Sequence, residues 1–98
     1  MIRHICMFKL KEENKSDILK EFVERSQTLQ SIPEVRRFEV VCNGDDMPES
    51  NYDVSLIFDF DDKEALDRYQ SHPTHVAFGG FVAAVREARA CIDYYFEG

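Results

Sequence analysis

A chain of 98 residues with 44% apolar and 32% charged side chains is long enough for one modest core and too short for two, so residues 1–98 read as a single domain. Its formal charge of −7 argues against nucleic acid and anionic membrane surfaces as partners, since both repel an acidic protein. The adjacent pair Arg36-Arg37 is too small a basic patch to reverse that. No apolar run approaches the roughly 20 residues needed to span a bilayer, and no charged-then-apolar leader opens the chain. Cys6, Cys42 and Cys91 are widely spaced in apolar stretches without CxxC spacing. They read as reduced, buried thiols, and the expected location is cytoplasmic.

In chain order, residues 2–11 alternate cleanly. His4, Cys6, Phe8 and Leu10 point one way, Arg3, Ile5, Met7 and Lys9 the other, which is the period of a strand. Ile5 and Met7 make the second face apolar too. Residues 14–31 carry Ile18, Leu19, Phe22, Val23 and Leu29 at helical spacing, with Asn14 or Ser16 to start the helix and Pro33 to stop it. Residues 35–42 are β-branched and aromatic, hence a strand. Residues 43–51 form a long polar loop with Gly44 and Pro48, and long loops often line sites. Residues 52–60 alternate again, and Asp61 with Glu64 fits a capping box for a second helix. A short helical turn at Pro73 is expected to break at Gly79-Gly80, and Phe81, Val82 and Val85 to form another helical turn before a last strand near residues 89–96.

The order strand, helix, strand, strand, helix, strand defines an α+β, ferredoxin-like βαββαβ sandwich. Its four antiparallel strands carry the helices on one face. The other face, with Ile5, Met7 and part of the last strand, is left bare. Burying one such side chain is worth roughly 1.5–3 kcal/mol, so the economical cover is a second copy of the chain.

Groups able to move protons cluster in one stretch, Tyr69-Gln70-Ser71-His72-Pro73-Thr74-His75. Pro73 suits the first position of a helix, which places His75 in its first turn. The positive end of that helix disfavours imidazolium, and neutral imidazole is a base near pH 7. Tyr69 adds a phenol able to donate a hydrogen bond. The alternative use of both side chains is structural, capping the turn and fixing the second helix. His72-x-x-His75 with His4 or Cys6 has liganding side chains, but Pro73 keeps the two histidines from facing one ion, and no metal site is expected. No phosphate loop, nucleophile elbow or dinucleotide fingerprint is present, and no cofactor is expected.

Met1-Ile2-Arg3-His4 running into an alternating strand, Ile32-Pro33-Glu34-Val35, Tyr52-Asp53, Tyr69-x-x-His72-Pro73-x-His75-Val76-x-Phe78 and Asp93-Tyr94 resemble the stress-responsive dimeric α/β-barrel family (Dabb). The resemblance runs through almost the whole chain in order, and its His-Pro-x-His block is the most specific part. It implies a ferredoxin-like fold whose two protomers set their sheets face to face as a barrel. It also implies a pocket. In a plant branch that closes polyketide rings without a cofactor, a histidine matching His75 is the base, a tyrosine matching Tyr69 assists, and a histidine matching His4 lines the pocket. Cys6, Phe8, Phe22, Leu56 and Phe78 are the expected ligand contacts, with the 43–51 loop at the rim. Arg25, Arg89 and Cys91 stand where that branch has bulkier apolar residues, which disfavours a long alkyl-bearing substrate.

Two classes of function follow: a homodimeric binding protein for a small apolar or carbonyl-bearing ligand, and a cofactor-free lyase or cyclase using His75 and Tyr69. Cofactor-free oxygenation of an electron-rich aromatic is suggested by barrel architecture alone.

Overall fold

The structure, a computed structural model, describes residues 1–98. It contains β1 (Ile2–Leu10), α1 (Lys15–Ser26), a 3-10 turn (Gln27–Ser31), β2 (Arg37–Cys42), β3 (Val54–Phe60), α2 (Lys63–Ser71), α3 (Pro73–Val85) and β4 (Arg86–Tyr95). The strands form one sheet in the order β2-β3-β1-β4, with every neighbouring pair antiparallel. This is the ferredoxin-like sandwich read from the sequence, with a third helix before the last strand.

The register of β1 decides which residues share a face. Cys6 lies opposite Leu56 on one side and Cys91 on the other; Ile5 lies between Ile57 and Ile92. Because side chains alternate with period two, His4, Cys6 and Phe8 join Asp93, Cys91 and Arg89 on the helix side. Ile2, His4, Cys6, Phe8 and Leu10 are all buried. Phe22 of α1 meets Phe8 and Phe78 at ring distances of 5.3 Å each, tying α1 and α3 to the sheet. On the far face the Arg3 guanidinium clamps Asp59 at 2.7 and 3.0 Å and covers the Phe96 ring. Beside that clamp Met7, Val41, Ile92 and Tyr94 are exposed, Ile92 at 60%.

Four local expectations are corrected. Asp62, not Asp61, caps α2: its backbone is extended and its carboxylate accepts the Ala65 N–H at 2.8 Å. Asp61 instead pairs with Arg36 at 3.0 Å. The Pro73 turn does not break at Gly79-Gly80 but runs on to Val85 as one helix. Neither glycine has a positive φ, so nothing in the backbone asks the helix to stop, and burial of Phe78 and Val82 holds it to the sheet. The first helix tightens into a 3-10 turn after Ser26, whose hydroxyl bonds back to the Val23 carbonyl at 2.7 Å. Asn14 precedes α1 in the left-handed region (φ 56°), a conformation Asn tolerates, and makes no side-chain cap.

Candidate functional site

Between the helix side of β1 and β4 and the α2–α3 corner lies a cavity of about 280 Å³. His4, Cys6, Phe8, Leu56, Tyr69, His75 and Phe78 line it. Phe22 does not; it is wholly buried behind Phe8 and Phe78. The 43–51 loop does not reach the cavity either. It folds over the far end of β1, where Lys9 donates to the Glu49 and Asn51 carbonyls and Asn43 N–H bonds the Asp53 carbonyl at 3.0 Å. A strand rises about 3.3 Å per residue, so His4 and Lys9 sit at opposite ends of β1. A wider depression of about 500 Å³ on that side carries neither histidine nor carboxylate.

The α2–α3 corner presents the titratable pair. His72 is the N-cap of α3 and spends its Nδ1 accepting the Thr74 N–H at 3.1 Å. His75 follows in the first turn, with Nδ1 2.9 Å from the Gln70 carbonyl oxygen. A carbonyl only accepts, so Nδ1 carries the hydrogen and Nε2 is left as the basic nitrogen. The ring is half-buried, and this burial is the largest influence on it, pushing its pKa down. The Gln70 carbonyl opposes that push, and His4 and Arg89 add to it. Tyr69 is buried between Phe58 and Phe60, with its ring 4.7 Å from that of His75. Burial pushes its phenol well above the ordinary range, so the hydroxyl keeps its proton and can donate. No protein group hydrogen-bonds that hydroxyl. Since every buried polar side-chain atom has a neighbour within hydrogen-bonding distance, a hydroxyl without one is not enclosed and opens onto the cavity.

The β1–β4 wall holds a second group. His4 is buried, its Nδ1 against the Asp93 carboxylate and its Nε2 3.3 Å from Cys6 Sγ. Cys6 and Cys91 face each other in the register and are joined as a disulfide, with Cα atoms 4.2 Å apart. Cys42 is exposed at the end of β2. The expectation of three reduced, buried thiols is therefore corrected: a separation of 85 residues gives no hint of the pairing, which only the strand register creates. Arg89 approaches Cys6 Sγ at 3.7 Å and lines the cavity, as do Arg86 and Gln70. Arg86 and Gln70 carried no sequence signal; Gln70 acts through its backbone carbonyl, which any residue supplies.

A ferredoxin-like sandwich with one open sheet face, and a His75–Tyr69 corner beside a cavity on the other, is the class these elements define. The chain belongs to the stress responsive A/B barrel domain family, whose model matches residues 2–96. It is similar to a dimeric protein of unknown function from Bacteroides fragilis, at 34% identity and a TM-score of 0.85, over 97% of this chain and 95% of that one. A Dabb family protein from Mesorhizobium loti is 33% identical, with a TM-score of 0.82 over 99% and 97% of the two chains. An antibiotic biosynthesis monooxygenase shares the fold alone, at 14% identity and a TM-score of 0.79 over the full length of both. Among curated proteins none matches. No helix is long and apolar enough to cross a membrane.

Proposed function

We propose that the protein is a homodimer, paired through its bare sheet face, whose cavity takes a small apolar or carbonyl-bearing ligand. The dimeric relative at 34% identity supports the pairing, and the apolar residues exposed on β1 and β4 supply the surface. The two-fold contact uses the same patch twice and leaves the cavity, on the helix side, free. A cytoplasmic location belongs to the same reading and would require the Cys6–Cys91 bridge to be reduced there.

The second reading is catalytic, and one observation favours it: the Gln70 carbonyl fixes the tautomer of a neutral His75 within ring contact of a protonated Tyr69. His75 Nε2 takes a proton from a carbon next to the ligand's carbonyl. Tyr69 donates to that oxygen as enolate charge develops, a contribution on the order of 2.7–4 kcal/mol in a dry site. His4 lines the same cavity and, with its hydrogen on Nδ1 toward Asp93, accepts the proton at Nε2 in relay. Base and donor suffice to form the enolate, so lyase or cyclase chemistry needs nothing further. Turnover of a β-polycarbonyl test compound decides between the readings. His75→Ala is expected to abolish it while leaving dimer and melting temperature nearly unchanged; equal activity in that variant would leave the binding protein.

A further inference from the structure

The His4–Cys6–Cys91 group lies outside the acid–base corner and brings one imidazole nitrogen and two sulfurs within 4.8 Å of one another. The His4 ring is what the disulfide leaves unexplained. Its Nδ1 rests on the Asp93 carboxylate, an acceptor, so Nδ1 holds the hydrogen. In the neutral ring Nε2 is then a buried lone pair 3.3 Å from Cys6 Sγ. A disulfide sulfur has no hydrogen to give, and folded proteins rarely leave a buried acceptor without a donor. A carboxylate that takes the Nδ1–H and leaves Nε2 free is, however, a usual arrangement behind a metal-bound histidine.

We propose that the dithiol form of this group is a metal site, with the Cys6 and Cys91 thiolates and His4 Nε2 holding one Zn²⁺ or Cu⁺ ion. Sulfur with imidazole selects such soft or borderline cations. Ligand atoms at about 2.0–2.3 Å from one ion lie under about 4.6 Å apart, so donors already within 4.8 Å need little movement beyond parting the two sulfurs. Three protein donors leave a fourth position, and since His4 and Cys6 line the cavity, that position faces it. Charges balance for zinc: two thiolates cancel the ion, and Asp93 cancels Arg89, whose guanidinium lies 3.7 Å from Cys6 Sγ.

The site opens by reduction. One thiolate of a dithiol reductant attacks the Cys91 sulfur, which lies at an exposed position, and forms a mixed disulfide while Cys6 leaves as a thiolate that takes up the proton the attacking thiol gave up. The reductant's second sulfur then closes its own disulfide and releases Cys91. Two electrons pass to the protein and the reductant is oxidised; the two thiol protons are lost to solvent when the ion binds. A reducing compartment would therefore hold the metal-binding form.

Co²⁺ is the probe. The full chain, reduced with a phosphine and kept free of oxygen, is expected to bind one Co²⁺ per chain. Thiolate-to-metal charge-transfer and tetrahedral d–d absorption should appear, and both should vanish on adding Zn²⁺ or on oxidation to the disulfide. Cys91→Ser should lose the charge-transfer intensity, Cys42→Ser should keep it, and Asp93→Asn should weaken binding about 10–100-fold. His75→Ala should bind Co²⁺ like the parent, so this site and the acid–base corner can fail separately. Reduced parent protein without these bands overturns the site, a result that depends on no variant. So does full intensity in Cys91→Ser, or its loss in Cys42→Ser.

Discussion

Protonation separates Tyr69 from His75: burial makes the phenol hold its proton and the imidazole shed one. If His75 is the base, activity should rise with pH through a value below the ordinary imidazole pKa of about 6.5, then stay flat across neutrality. A fall in activity between pH 6 and 8, at about the ordinary imidazole range, would contradict the assignment. Tyr69→Phe should lower the rate on the order of 10²–10³-fold without moving that pH profile. The same shift has a sign for stability. The unfolded chain binds more protons than the folded one between the two His75 pKa values, so stability is fully present above about pH 6.5 and is lost as pH falls through the folded pKa. In His75→Ala that part of the acid dependence of the melting temperature should disappear. The place of His75 in the first turn of a helix was legible in Pro73 two residues upstream; the burial that does most to lower its pKa was not. Its tautomer was not, because a backbone carbonyl sets it, and the Cys6–Cys91 pair was not, because strand register is invisible in spacing.

The helix α3 carries a penalty that its packing overrides. Gly79 and Gly80 are interior helix positions where an added Cβ would meet nothing within 4 Å. Glycine costs about 0.8–1 kcal/mol against alanine at such a position. Gly80→Ala should therefore stabilise the fold by about that amount in denaturant melts, with ligand binding unchanged. Gly79→Ala should stabilise similarly but intrude on the cavity it lines, weakening any ligand that fills it. Lower stability in Gly80→Ala would show that the helix needs the glycine. At the start of α2, Asp62→Ala should cost about 1 kcal/mol through the lost Ala65 cap, and Asp61→Ala much less, since its Arg36 pair is exposed. Sequence pattern found these helices but misplaced their ends. Two adjacent aspartates offer the same cap, and only the backbone at Asp62 decides between them; a Gly-Gly pair reads as a break when burial on either side is out of sight.

Across the whole molecule, the alternation of β1 already implied a sandwich with one naked face, and the register shows what that face presents. Glu39, Ile57, Ile5 and Ile92 form one row across the four strands, and Val41, Ser55, Met7 and Ala90 the next. Apolar groups in the middle of a sheet face have no role in a monomer, whereas a two-fold contact buries each of them twice. Ile92 is the sharpest probe because it is exposed in the single chain, so a lysine there leaves the protomer's own core intact. Burying an isoleucine is worth roughly 1.5–3 kcal/mol, and symmetry doubles the loss to at least about 3 kcal/mol, or about 10²-fold in dissociation constant. Light scattering should then find the parent as a dimer at micromolar concentration and Ile92→Lys shifted toward its 11.5 kDa monomer. Moderate salt should leave the parent dimer whole, since apolar contact rather than ion pairing would hold it. A parent that scatters as a monomer, or an Ile92→Lys variant as tightly paired as the parent, would move the interface off this face. Reduced Ile92→Lys should still take up Co²⁺, because His4, Cys6 and Cys91 point to the opposite side of the same strands.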